Sequence, residues 1–253
     1  MLEEIGSLME HYLPSRHSPT PLSTTLLSIQ AKLVITYIAI CIAPINIHLP
    51  YVHSLAKPHI LTSAQNVSAY NEGAYTGEIT AKQLKDIGIN WSIIGHSERR
   101  NIFGESDSII GIKQKHLQNA GMNSILCIGE KLNERESNKT WEVCERQLEA
   151  ARPNIIDWKK VVIAYEPVWA IGTGKTASPE QAEEVHCSIR EWVKRSVSEE
   201  VSSIVQIIYG GSVTEKNASE LIRQRDIDGF LVGGASLKAG FKDIVDACSK
   251  SNK

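Results

Sequence analysis

Seven short apolar runs alternate with longer amphipathic stretches along this chain of 253 residues. The runs lie at 33–43, 59–64, 89–94, 123–128, 161–165, 204–209 and 228–232. Between them, apolar residues recur at helical spacing. Ile109, Ile112 and Leu117 do so before Gly121, and Trp141, Val143, Leu148 and Ala151 do so before Pro153. Ser178, Pro179 and Gln181 read as a helix start with a capping box, followed by an apolar face of Ala182, Val185, Ile189 and Val193. Strand following helix following strand implies right-handed βαβ units and a parallel sheet. Two architectures fit: a doubly wound open sheet, or a (β/α)8 barrel one strand short.

The most apolar run, Leu33 to Ile45, has the length of a strand rather than of a membrane span. Pro44 and Asn46 cut it short, and a spanning helix needs about 20 apolar residues. Its β-branched content predicts a strand buried on both faces. Residues 1–32 fit the alternation badly. Leu2, Ile5, Leu8, Met9, Tyr12 and Leu13 follow helical spacing, the prolines at 19 and 21 break it, and no strand-like run comes first. We expect an atypical N-terminal segment over 1–32, helical or disordered, and one α/β barrel domain over 33–253.

Charge narrows the function. Lys and Arg number 27 against 29 Asp and Glu, a net charge of −2. That balance gives no basic footprint for nucleic acid, and no run of the chain suits a membrane. The five cysteines are scattered and no two form a C-x-x-C pair, so reduced thiols in a cytoplasmic protein are expected.

Polar residues cluster just after the apolar runs, at the strand ends where α/β proteins build their sites. Gly95-His96-Ser97-Glu98 follows one run and Glu166-Pro167 another. Gly210-Gly211-Ser212 and Gly233-Gly234 follow the last two. A His and a Glu from different strand ends can form an acid–base pair. Glycine-rich strand ends before helices can cradle a phosphate with bare backbone N–H groups. These residues suit proton transfer on a small phosphorylated substrate. Two other motifs are weak. Gly172 to Ala177 matches a relaxed dinucleotide fingerprint but stands too far from its strand. Glu183-x-x-His186 has metal-ligand spacing but lacks partner carboxylates, and reads as a solvated helix face.

AYNEGAYTGEIT (69–80), IIGHSERRNIFGESD (93–107), CIGEKLNERE (127–136), VVIAYEPVWAIGTGKTASPEQAEEVH (161–186), IIYGGSVT (207–214) and DGFLVGGASLK (228–238) together closely resemble the triosephosphate isomerase family, over about residues 39 to 248. The resemblance implies a (β/α)8 TIM barrel, incomplete or irregular at its first βα unit. It implies interconversion of glyceraldehyde 3-phosphate and dihydroxyacetone phosphate through an enediolate, a step of glycolysis and gluconeogenesis, with no cofactor and no metal. Glu166 matches the family's catalytic base and His96 its carbonyl-polarising group, with Glu98 supporting His96. Gly172, Ser212, Gly233 and Gly234 match its phosphate donors, and Pro167 to Ala177 its closing lid. The loop 65–79, with Thr76, matches one that inserts into a second subunit, which implies a homodimer. One motif is missing. The family's first strand carries an Asn-x-Lys that faces the substrate, and no Asn-x-Lys occurs in residues 1–40. The alternative is therefore a barrel without turnover that survives as a binding or interaction protein.

Overall fold

The computed structural model describes residues 38–171 and 176–251. The expectation for residues 1–32 lies outside the described residues, as does Gly172. Seven strands occur among the described residues: β1 (Ile40–Ile42), β2 (Ile60–Ala64), β3 (Trp91–Ile94), β4 (Asn123–Ile128), β5 (Val161–Tyr165), β6 (Gln206–Tyr209) and β7 (Gly229–Phe230). They form one curled sheet in strict chain order, every neighbouring pair parallel. Each sequence run contains one strand. That order, with a helix in every crossover from β2 to β6, is the α/β barrel architecture, incomplete among the described residues.

The central strands send alternate residues into two apolar layers. Ile94, Leu126, Ile128, Ile163 and Tyr165 join the large cluster shared with the helices. Ile93, Ile125, Cys127, Val162 and Ala164 form a smaller cluster on the opposite face. This explains why the runs at β3 to β5 read as continuous rather than alternating: both faces are dry.

The helix Pro179–Ser196 starts as its sequence requires. Ser178 accepts the Gln181 N–H, Gln181 reaches back to the Ser178 N–H, and Pro179 takes the first position, where no N–H is needed. Its face of Ala182, Val185, Ile189 and Val193 is buried.

Three expectations are corrected. In the described part of the run at 33–43, residues 38–43, the strand is the three residues of β1, and each of them is half-buried. Among the described residues β1 pairs with β2 alone, so it is an edge strand rather than a doubly covered one. In the helix Asp107–Asn119 the buried apolar residues are Ile110 and Leu117, while Ile112 is exposed. Buried Lys113, Gln114 and Gln118 complete that face and hide the apolar period. Finally, His186 does not lie on a solvated face; it is fully buried.

Candidate active site

Because every strand is parallel, the C-terminal ends of β3, β5, β6 and β7 open on one edge of the sheet. His96 follows β3, Glu166 follows β5, Ser212 follows β6, and Gly233 and Gly234 follow β7. At that edge the imidazole and the carboxylate meet: His96 Nε2 lies 2.9 Å from Glu166 Oε1. The second carboxylate oxygen accepts the Ser97 N–H at 3.0 Å.

His96 owes its pose to a helix start. It is the N-cap of the helix Ser97–Asn101, and its Nδ1 accepts the Glu98 N–H at 3.3 Å. That bond requires a bare Nδ1, so the proton sits on Nε2 and is donated to Glu166. Glu98 contributes its backbone; its carboxylate stands 3.7 Å from Nδ1 and is largely exposed. Two influences oppose each other on the imidazole. Burial pushes its pKa down, and the hydrogen bond and charge of Glu166, helped by Glu98, lift it above its ordinary value.

Glu166 is only 2% exposed. Its backbone N–H donates to the Ile128 carbonyl at 2.7 Å, which fixes it to the end of β4. Two glycines make room for it. A Cβ at Gly129 would lie 1.8 Å from the Glu166 carbonyl oxygen, and one at Gly210 would lie 3.0 Å from its Cγ. Gly129 also sits at φ 157°, where a side chain is strained.

The far side of the edge is open. A Cβ at Gly233 or Gly234 would meet nothing within 4 Å. Gly234 opens a 3-10 turn running to Leu237. Ser212 holds a left-handed backbone, φ 49°, and its hydroxyl donates to the Ala170 carbonyl at 2.5 Å. That bond ties the β6 end to the segment after Glu166.

One carboxylate was missed from sequence. Glu130 follows β4, is fully buried, and accepts from Trp169 Nε1 at 2.8 Å and from the Tyr165 hydroxyl at 3.1 Å. Burial lifts its pKa, and these donors only partly offset that. It anchors the chain that leaves Glu166. The cue was present, since polar residues after an apolar run also occur at Gly129-Glu130-Lys131. Among the described residues no cluster of three or more His, Cys, Asp or Glu side chains is set to hold a metal, and no helix is long and apolar enough to cross a membrane. The five cysteines are free.

Comparison with known proteins bears directly on this arrangement. The family model described as triosephosphate isomerase matches residues 21–248. The chain is 54% identical over 209 residues to a protein named "Triosephosphate isomerase, chloroplastic" from Fragaria ananassa, covering 82% of this chain and 67% of that one. It is 53% identical over 210 residues to a protein of the same name from Secale cereale, covering 83% and 70%. Both names correct the cytoplasmic expectation. That expectation rested on unpaired cysteines, which mark a reducing compartment without saying which one. With two thirds of each relative's length aligned, and an imidazole and a carboxylate meeting at the strand ends inside the matched region, this chain belongs to the triosephosphate isomerase family and is an isomerase of the intramolecular oxidoreductase type.

Proposed function

We propose that Glu166 and His96 carry the proton transfers that interconvert glyceraldehyde 3-phosphate and dihydroxyacetone phosphate in this chain, at a step shared by glycolysis and gluconeogenesis. The observation that supports this most is the 2.9 Å contact between His96 Nε2 and Glu166 Oε1 at the strand ends. At rest the Nε2–H and the Ser97 N–H hold the carboxylate. When the carboxylate turns to a substrate C–H, that Nε2–H is released to the substrate carbonyl. The base then takes a proton from one carbon while the imidazole supports negative charge on the oxygen, giving the enediolate. The imidazole passes its Nε2 proton to that oxygen and takes the hydroxyl proton from the neighbouring one, so that the second oxygen becomes the carbonyl, and return of the carbon proton to the adjacent carbon completes the isomerisation. As the Glu166 carboxylate turns away, its hydrogen bond and charge leave the His96 ring, and burial, which pushes the pKa down, is then opposed only by the charge of Glu98.

Ser212, Gly233 and Gly234, with Gly172 outside the described residues, are the proposed phosphate donors. The open space at Gly233 and Gly234 supports this, since an anion can approach their backbone N–H groups closely. The names of the relatives favour a plastid for this chain.

A homodimer through the loop 65–79 is proposed on its apolar exposure. Tyr70 and Tyr75 stack at 4.4 Å while about half of each remains exposed, and Thr76 between Tyr75 and Gly77 is exposed too. Sedimentation at micromolar concentration should give a dimer. A monomer would overturn this part.

The deciding experiment is a coupled assay with glyceraldehyde 3-phosphate, alongside Glu166→Gln. The variant should fold normally and lose roughly 10²- to 10⁴-fold in kcat. Unchanged kcat would remove Glu166 from its role. Soluble, folded wild type without turnover would favour the binding-protein reading, which the missing Asn-x-Lys in residues 1–40 supports.

A further inference from the structure

We infer that Arg100 is a positioning residue for the acid–base pair: its guanidinium fixes the peptide from which His96 projects and ties that strand end to the one that orients Glu166. The inference rests on the roles proposed above for His96 and Glu166.

Arg100 lies one turn after His96, in the helix Ser97–Asn101, and turns back under it. Its Nε donates to the Gly95 carbonyl at 2.7 Å. Nη2 donates to the Cys127 carbonyl at 2.9 Å, and Nη1 to Asp107 Oδ1 at 2.6 Å. The side chain is 10% exposed. The other oxygen of Asp107 accepts from Arg146 Nε at 2.9 Å, so the counter-ion is itself held. A planar fork with fixed donors suits three acceptors in fixed directions, and a lysine ammonium does not.

The acceptors are what make this more than a buried ion pair. The Gly95 carbonyl belongs to the peptide whose N–H is that of His96. Gly95 sits at φ 69°, and a Cβ there would lie 2.9 Å from Arg100 Nη2 and 2.9 Å from the Cys127 oxygen. The glycine is therefore required by the closeness of the guanidinium as well as by the turn. Cys127 precedes Ile128, whose carbonyl accepts the Glu166 N–H at 2.7 Å. One guanidinium thus bonds the peptide before His96 and the residue before the anchor of Glu166. The 2.9 Å contact between imidazole and carboxylate depends on both.

Arg100→Lys is the main test, since it keeps the charge and loses the fork. We expect kcat per folded site to fall at least about 10-fold with KM within about 3-fold, because a misplaced acid–base pair costs turnover more than binding. The His96 imidazole 15N signals should also move away from those of the wild type. In Arg100→Ala, millimolar guanidinium should restore part of the lost kcat. A residue that only stabilised the fold would lower the midpoint of unfolding and leave kcat per folded site and the imidazole signals alone; that result overturns the proposal. If neither Arg100 variant folds, Asp107→Asn, which loosens the fork from its counter-ion, should lower kcat at constant KM, and an unchanged kcat there is equally decisive against it. If the wild type shows no turnover, the proposed reaction fails, while the imidazole signals in Arg100→Lys still decide the positioning role.

Discussion

A histidine that caps a helix cannot use both its nitrogens for chemistry. In His96 the bond from the Glu98 N–H occupies Nδ1, which leaves Nε2–H as the donor for the proposed proton transfer and Glu166 as its partner in this structure. His186 shows a different use of burial. Its Nδ1 donates to the Ala182 carbonyl at 2.7 Å, and the ring packs edge-on against Tyr165 at 5.6 Å. Burial is the first cause that pushes its pKa down, from 6.5 to about 4. The folded chain therefore keeps His186 neutral where the unfolded chain protonates it. Above pH 6.5 neither state binds the proton and the linkage is silent; below it, the unfolded state gains, and stability falls until the pH reaches about 4. The slope is about 1.4 kcal/mol per pH unit, roughly 3 kcal/mol in all. Urea unfolding at pH 7 and pH 5 should show that His186→Gln loses about 2 kcal/mol less than wild type between the two. Equal losses would mean that another group sets the acid sensitivity.

At the scale of the element, legibility followed the number of faces that are buried. Strands β3 to β5 were plain in the sequence because both faces are apolar, which gives unbroken runs such as Val161–Tyr165. The helix Pro179–Ser196 was plain because its cap residues and apolar face agree. The helix Asp107–Asn119 is legible as a helix, but its buried face differs from the one its apolar spacing predicts. Lys113 pairs with Glu105 and Asn66 inside the fold, and a satisfied buried lysine looks like a surface residue in a sequence. At the described end of the run at 33–43 the difference has the opposite cause. Ile40, Cys41 and Ile42 are all apolar, yet β1 leaves each half-buried, since it has only one neighbour among the described residues. Of the candidate site, His96 and Glu166 could be found from their places after apolar runs, and their contact could not. Glu130 shares their place after an apolar run, but its bond from the Trp169 ring N–H, like the bonds of Arg100 to backbone carbonyls, leaves no spacing to read.

The whole molecule turns on the two ends of its sheet. Among the described residues β1 and β7 each have one neighbour, and the chain order places the gap in a would-be barrel between them. Edges of this kind leave N–H and C=O groups without ladder partners. The apolar side chains near them are incompletely covered: Ile40, Ile42, Phe230 and Leu231 are all half-buried. The missing Asn-x-Lys belongs, by resemblance, to the strand that would close this gap. Closure and a substrate-facing cation are therefore one question. Replacing residues 1–14 by a strand that contains Gly-Asn-Trp-Lys should answer it. A strand burying a few large apolar side chains contributes several kcal/mol, so the melting temperature should rise by on the order of 10 °C. A lysine facing the developing charge should raise kcat by roughly 10²-fold. The two readouts are separable. A gain in melting temperature alone would mean that closing the sheet matters and that His96 Nε2–H with backbone donors already suffices for the charge. A gain in kcat alone would mean that the edges are tolerated and that charge is what the present site lacks. If neither moves, β1 and β7 are not the weak point of this fold, and the departure at the N-terminus costs the molecule nothing that these measurements see.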